Sequence, residues 1–320
     1  MEKPSVTILL ALYRPKQSWL IELLDSLNRQ SYDRISLLVW NDCPEDDTVY
    51  EPIFGSHIDR YPFQIFRGEK NWGVNGAFSA LTQRAQGDYL AYCDQDDVWL
   101  PHKISRLVET AGTARAVKAV CSDMYVMDGQ GRVIADSIAT VRPTQRLCGG
   151  GDPFRRLIAH NFVTGCTLLA ERRFAQAALP FPKAYLYDWW LGFHAAAAGG
   201  LTAVSEPLIL YRIHGNNQTA PLIDIRTKRD YYEKRILLFE ERMQLLGQVF
   251  HDTPYGAFVE ECRAFAACRS AYQRHWRLRD MMGLLSLRKY SLKEALFELC
   301  LPFLPEGLFQ RIIRQVQERY

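Results

Sequence analysis

The sequence predicts an α/β domain, an open sheet flanked by helices, followed by a C-terminal helical extension. Three observations carry this expectation. Short apolar, β-branched runs alternate with helical periodicity through the first hundred residues; polar and acidic residues gather where the runs end; and beyond Ile225 the pattern is almost wholly helical.

Val6 to Leu12 is nearly continuous in apolar character, as in a strand covered on both faces of a sheet. Helical spacing follows Pro15, a good first-turn residue, with Trp19, Leu20, Leu23, Leu24 and Leu27 on one face. Ile35 to Trp40 reads as a second strand ending at Asn41-Asp42, and Phe63 to Phe66 as a third. Ala77 to Ala85 reads as a helix, and Asp88 to Cys93 as a fourth strand that stops at Asp94-Gln95-Asp96-Asp97. In such sheets a ligand sits at the carboxyl ends of the strands, so a nucleotide site is expected within the first hundred residues. Val117 to Cys121 and Phe162 to Ala170 are expected to be further strands, with a mobile loop over Pro143 to Pro153 between them. Tyr187 to Ala198 is an expected helix, and Leu208 to Tyr211 an expected strand leading into His214-Gly215-Asn216-Asn217. Helical pattern then continues, broken near Pro254 and between Leu301 and Pro305. The boundary between catalytic domain and extension is expected at 222/223.

The chain has 320 residues, 48% hydrophobic and 23% charged, enough to bury a large core and without a sign of disorder. A net charge of +3 does not imply nucleic acid, and no nucleic-acid partner is expected. No apolar run approaches the roughly 20 residues of a membrane helix. Val6 to Leu12 is too short for a signal peptide and ends at Arg14-Pro15 without a small-residue cleavage site. Eight scattered cysteines with no Cys-x-x-Cys fit a reducing cytoplasm.

Three carboxylates in four residues at the end of an apolar strand repel one another and raise their own proton affinities unless a cation is present. Hard divalent ions, Mg²⁺ or Mn²⁺, take carboxylate oxygens together with substrate phosphates, so Asp94 and Asp96 are candidate metal ligands. A solvated acidic turn is the alternative for an isolated cluster.

The strand ending in Asp94-Gln95-Asp96-Asp97, followed by Trp99 and Pro101, resembles the DxD region of family 2 glycosyltransferases of the GT-A fold, especially bacterial rhamnosyltransferase-like members. Four further segments match in order: Tyr13; Asn41-Asp42; Asn71-Trp72-Gly73-Val74-Asn75-Gly76-Ala77; and Tyr187-Asp188-Trp189-Trp190 with Tyr211-Arg212-Ile213-His214-Gly215-Asn216-Asn217. The resemblance covers roughly residues 5 to 220, and the ordered set is far more specific than any member of it. It implies a Rossmann-like GT-A sheet, with Tyr13 stacking on a pyrimidine and Asp42 accepting from the ring N–H. Asn71, Gly73 and Asn75 would lie along the donor, the glycines permitting close backbone approach and the following helix offering N–H groups. Asp94 and Asp96 would hold metal and donor, with His214 completing the metal shell. Arg212 would lie near phosphate, or else pair with a surface carboxylate. Asp188, before two tryptophans at a helix start, would be the general base. Many members carry His before this Asp; this chain has Tyr187.

From Arg263 onward the chain has eleven Arg/Lys against five Asp/Glu. Arg269, Arg274, Arg277, Arg279, Arg288 and Lys289 interleave with Tyr272, Trp276, Met281, Met282, Leu284 and Leu285. Such a stretch either lies on an anionic membrane surface or packs on its own domain with a solvated basic face.

The expected activity is inverting, divalent-metal-dependent transfer of a sugar, L-rhamnose from dTDP-rhamnose by the resemblance, to a surface-polysaccharide or lipid-linked glycan acceptor. The expected location is the cytoplasm, with peripheral contact at the inner face of the plasma membrane through the C-terminal helices. One rival is a sugar-1-phosphate nucleotidyltransferase, which would carry a Gly-rich basic loop where this chain has Leu12-Tyr13-Arg14-Pro15-Lys16. Another is a non-catalytic nucleotide- or glycan-binding module, in which the carboxylates Asp96 and Asp188 would be lost.

Overall fold

A computed structural model describes residues 3–114, 116–147, 151–214, 222, 224–286 and 292–317. The chain forms two compact units, Met1–Gly215 and Asn216–Tyr320.

In the first unit the elements run β1 (Val6–Leu12), α1 (Gln17–Asn28), β2 (Ile35–Asn41), α2 (Glu51–His57), β3 (Phe63–Arg67), α3 (Gly73–Arg84), β4 (Tyr89–Cys93), β5 (Val98–Trp99) and α4 (Lys103–Ala111). They continue with β6 (Ala119–Met127), β7 (Val133–Ala135), α5 (Ile138–Val141), α6 (Pro153–Ala159), β8 (Leu169–Glu171), α7 (Arg172–Ala177), α8 (Tyr187–Ala197) and β9 (Leu201–Arg212). One sheet takes the order β3-β2-β1-β4-β8-β6-β9-β5, with β7 paired to β6. Strands β3, β2, β1 and β4 are parallel; β8 is antiparallel to both β4 and β6.

The near-continuous apolar character of β1 has the expected cause. Val6, Ile8, Leu10 and Leu12 join one core cluster with Leu20, Leu23, Leu24 and Leu27 of α1, while α3 packs on β1 through its own buried face, Ala77, Phe78 and Leu81. Each leucine so buried contributes about 1.5–3 kcal/mol. Because β1 lies between β2 and β4, the chain reverses its order across the sheet at this strand. The carboxyl ends of all three strands, carrying Tyr13, Asp42 and Asp94, therefore come to one edge.

Four expectations change. The strand expected at Val117 to Cys121 begins at Ala119 and runs on to Met127. The strand expected over Phe162 to Ala170 shrinks to Leu169–Glu171, preceded by a 3₁₀ turn at Gly165–Thr167. Its first half is apolar because Phe162, Val163 and Cys166 are buried, not because it pairs: the Val163 N–H donates to the Asn161 side chain and the Gly165 N–H to Asp188. The stretch Pro143 to Pro153 contains a 3₁₀ turn at Pro143–Gln145 and opens α6 at Pro153; residues 148–150 of the expected loop lie outside the described residues. Leu208 to Tyr211 is the end of the longer strand β9.

The second unit comprises α9 (Lys228–Tyr231), continued through a π-helical turn (Tyr232–Leu237) into α10 (Leu238–Phe250), then α11 (Gly256–His275), α12 (Leu278–Ser286), α13 (Leu292–Cys300), a 3₁₀ turn (Leu301–Phe303) and α14 (Glu306–Gln317). The breaks fall at Pro254 and at Leu301–Phe303, where the sequence placed them. Tyr231, Ile236, Phe309 and Ile313 make one core, and Phe265, Tyr272 and Leu284 another. No helix among the described residues is long and apolar enough to cross a membrane.

Candidate active site

Asp94 and Asp96 are half-buried beyond β4, whereas Asp97 is fully buried. The acidic run is thus not one uniform exposed cluster. Asp97 turns inward, where Oδ1 accepts from the Arg212 N–H at 2.9 Å and Oδ2 has no hydrogen-bond partner. Burial, then the Asp96 and Asp94 charges, hold its proton affinity well above the usual carboxylate range. Asp94 is pushed up to about 7, first by burial and then by Asp96 and Asp188. Asp94, Asp97 and the Cys166 thiol bring their ligand atoms within 4.8 Å of one another. Asp96 instead meets His214, its Oδ2 lying 2.7 Å from Nε2, and the imidazole leans on Trp19 with ring centroids 4.9 Å apart.

Gln95, between the two outward carboxylates, ties β4 to the end of β1. Its Oε1 accepts from the Tyr13 N–H at 2.8 Å and its Nε2 donates to the Tyr13 carbonyl at 3.1 Å. Tyr13 is left 44% exposed, with the Arg14 guanidinium 5.5 Å from its ring centroid. A cleft of about 400 Å³ opens beside it, lined by Arg14, Cys43, Asp46, Thr48 and Tyr50.

Asp42 is buried at the start of α3. Its Oδ1 accepts from Trp72 N at 2.9 Å and Trp40 Nε1 at 3.2 Å, and its Oδ2 from Gly73 N at 2.8 Å. The Asn71 side chain also accepts from Gly73 N, at 2.8 Å. The Gly73 N–H that opens α3, and the Trp72 N–H before it, are thus taken by Asp42 and Asn71. Gly73 adopts φ +68, a left-handed turn that a side chain would strain. Asn75 reaches the other way: Nδ2 donates to the Pro182 and Tyr185 carbonyls at 2.9 and 2.7 Å, and Oδ1 accepts from Tyr187 N at 3.0 Å. Asn75 therefore latches the start of α8 onto α3.

That latch sets Asp188, which is 7% exposed in the first turn of α8. Its Oδ1 accepts from Trp189 N at 2.6 Å and Asn161 Nδ2 at 3.2 Å, and its Oδ2 from Gly165 N at 2.9 Å. Burial raises its proton affinity to about 6, with those three donors pulling the other way. Tyr187 packs against Phe78 and Tyr92 with tilted rings, centroids 4.2 and 4.9 Å apart. Trp189 and Trp190 are anchored by indole N–H donation to the carbonyls of Leu157 and Ala178.

Gly165 has no room for a side chain, since a Cβ there would lie 1.8 Å from the Tyr187 hydroxyl oxygen. Gly165→Ala is expected to cost about 1–3 kcal/mol, as overpacking does. It should also shift the N–H that holds Asp188, so a thermal melt and a donor-hydrolysis assay on the same sample should fall together. A variant as stable and active as the parent would remove Gly165 from the site's framework.

Arg212 is 1% exposed and committed to protein groups. Nε donates to the Asp96 carbonyl at 2.8 Å and Nη2 to Glu22 at 2.5 Å, with Trp19 beneath the guanidinium at 5.0 Å. Pairing with a carboxylate, one of the two roles the sequence allowed, is seen in the contact with Glu22. Through Arg212, the end of β9 is pinned against the acidic loop, which puts His214 beside Asp96.

Sequence reasoning passed over Gln95 and Asn161, whose roles depend on long-range contacts, and Lys103. Lys103 is fully buried behind the acidic loop, 3.3 Å above the Trp99 ring, and donates to the Cys166 carbonyl at 2.5 Å. Burial lowers its affinity for a proton to about 8. Its signal was present: Ile104, Leu107, Val108 and Ala111 mark an apolar helix face that Lys103 also joins.

Residues 7–171 match the family model described as "Glycosyl transferase family 2". An uncharacterized glycosyltransferase of Nostoc sp. is 26% identical over 276 residues, covering 84% of each chain. Another, from Rickettsia prowazekii, is 26% identical over 219 residues, covering 68% of this chain and 66% of its own. Among solved structures, S. aureus TarS 1–349 in complex with UDP-GlcNAc superposes with a TM-score of 0.57 at 12% identity, covering 99% of this chain and 89% of that one. The nucleotidyltransferase and the non-catalytic module give way before these findings. The matched segment spans more than half of the chain and contains the acidic loop, so the chain belongs to glycosyl transferase family 2 and is a glycosyltransferase of the GT-A fold.

Proposed function

We propose that this glycosyltransferase inverts configuration at the transferred sugar, with Asp188 as general base and a divalent metal at the acidic loop. The observation that carries the reading is the Asp188 carboxylate: buried, held by three donors, with a proton affinity of about 6. Such a group is ionised at neutral pH yet retains enough basicity to accept a proton.

In this mechanism Asp188 takes the proton of an acceptor hydroxyl. The oxygen lone pair forms the bond to the anomeric carbon, and the bond to the diphosphate oxygen breaks with its electron pair on the diphosphate. Attack from the face opposite the leaving group inverts the centre. Asp94 and Asp96, with His214, would hold Mg²⁺ or Mn²⁺, which neutralises charge on the leaving diphosphate when bound. Their chemistry suits a hard cation: the Asp94 carboxyl is raised to about 7, first by burial and then by the charges of Asp96 and Asp188, and a divalent ion would offset that repulsion. Tyr13 offers its exposed face to the base, while Asp42, Asn75 and Arg212 act by positioning α3, α8 and the acidic loop.

The donor we favour is dTDP-L-rhamnose, on the resemblance of the motif set, and the acceptor a surface-polysaccharide or lipid-linked glycan. Cytoplasmic placement suits the seven free cysteines among the described residues. TarS, solved with UDP-GlcNAc, keeps UDP-sugars in the test. In a thermal-shift screen of nucleotide sugars with and without Mn²⁺, dTDP-rhamnose should raise Tm most, and only with metal. A donor at a hundredfold its Kd stabilises by about 2.7 kcal/mol. A rise with a UDP-hexose alone would overturn the donor, and a rise indifferent to Mn²⁺ would overturn the metal.

A further inference from the structure

The basic and aromatic residues of the C-terminal unit, one string in sequence, are divided by the fold into an inner and an outer set. Arg269 is buried and paired with Glu298, Tyr272 donates its hydroxyl to the Leu299 carbonyl, and Leu284 is fully buried. Arg288 and Lys289 lie outside the described residues. The six residues Arg274 to Arg279, at the corner between α11 and α12, are all exposed. Trp276 is 56% exposed, Leu278 68% and Met282 61%. Phe303, from the distant 3₁₀ turn, is 70% exposed and meets Trp276 with ring centroids 5.5 Å apart.

We infer that this corner docks on an anionic lipid surface, with Trp276, Leu278, Met282 and Phe303 entering the headgroup region and Arg277 and Arg279 facing lipid phosphates. Four large apolar side chains held outward on one small unit have little to gain in water. Trp is suited to the boundary, its indole being apolar in body with one polar N–H. Arg274, Arg277 and Arg279 stand against one acidic residue, Asp280, across positions 274–282, which complements an anionic headgroup layer. Backbone geometry adds a separate argument. Trp276 closes α11 at φ +54, a left-handed cap that glycine would supply with less strain. The indole is therefore kept at a position where a smaller residue would fold more easily.

The inference extends beyond the sugar-transfer reaction and does not depend on it, because its test has no catalytic readout. The full chain should co-sediment with vesicles of phosphatidylcholine containing phosphatidylglycerol, and weakly with phosphatidylcholine alone. Trp276→Ala with Phe303→Ala should lower that partitioning about tenfold or more. Arg277→Glu with Arg279→Glu should lower it further at low salt, while the Arg→Lys pair should retain it. Melting curves matching the parent's would show that each variant is folded. Failure of the parent to sediment, or folded variants that bind like the parent, would overturn the inference. So would loss of self-association in these variants without lipid, which would assign the corner to a second copy of the chain.

Discussion

Asp188→Asn is expected to lower sugar transfer by about 10²- to 10⁴-fold, the range a positioned general base contributes, while leaving nucleotide-sugar binding intact. The fold should tolerate the change because two effects oppose each other. Burial raises the Asp188 pKa from 3.8 to about 6, so the native state binds this proton more tightly than the unfolded chain. Stability from this group is therefore greatest below the unfolded pKa and declines as pH rises through the interval up to about 6. By pH 7 the full penalty, about 3 kcal/mol, is present, and an uncharged amide removes it. The amide has only one acceptor atom for three converging donors, however, and leaving one donor unpaired costs about 1–3 kcal/mol. Tm should consequently move little while turnover collapses. In the parent enzyme kcat/KM should fall tenfold per pH unit below about 6, where the base protonates. Retained turnover in the folded variant would move the base elsewhere, and a flat acid limb would separate Asp188 from proton transfer.

Asp96→Ala should produce the second large effect, a loss of about 10²- to 10³-fold in transfer, comparable to removing one electrostatic stabiliser of the developing charge. Its side chain is half-buried and meets His214, so folding should survive. The thermal shift given by Mn²⁺ with donor should disappear. Asp97→Ala makes the contrast: it removes the acceptor for Arg212 N inside the protein, and its primary effect should be on stability. Unchanged activity in Asp96→Ala would sink the metal assignment.

These two contrasts mark how far the sequence could be read. Strands β1 to β4 and helices α1, α3 and α8 were legible because each buries its apolar residues at the period of its own geometry, and that period is written locally. Helix α2 and the two-residue strand β5 were not, being too short to display a period. The run Phe162 to Ala170 misled for the opposite reason: it is as apolar as a strand, but side chains of Asn161 and Asp188 take its N–H groups. Burial and pairing leave the same composition behind.

The sequence by itself determined at which edge of the sheet the candidate residues gather. Apolar strands ending in polar residues leave those residues at the carboxyl ends wherever the strands pair in parallel. Only the tertiary structure decided what each polar group does. Asp94, Asp96 and Asp97 are chemically alike and close in sequence, yet Asp94 and Asp97 both approach the Cys166 thiol, with Asp97 buried and accepting from the Arg212 N–H, while Asp96 meets His214. Asp42, Asn75 and Arg212 likewise spend their hydrogen bonds on the protein, so that Asp188 and the acidic loop are held in place. Hydrogen bonding and availability depend on burial and on partners up to 118 positions away along the chain, as with Asp96 and His214. A local pattern carries no record of such partners, and folding alone brings them together.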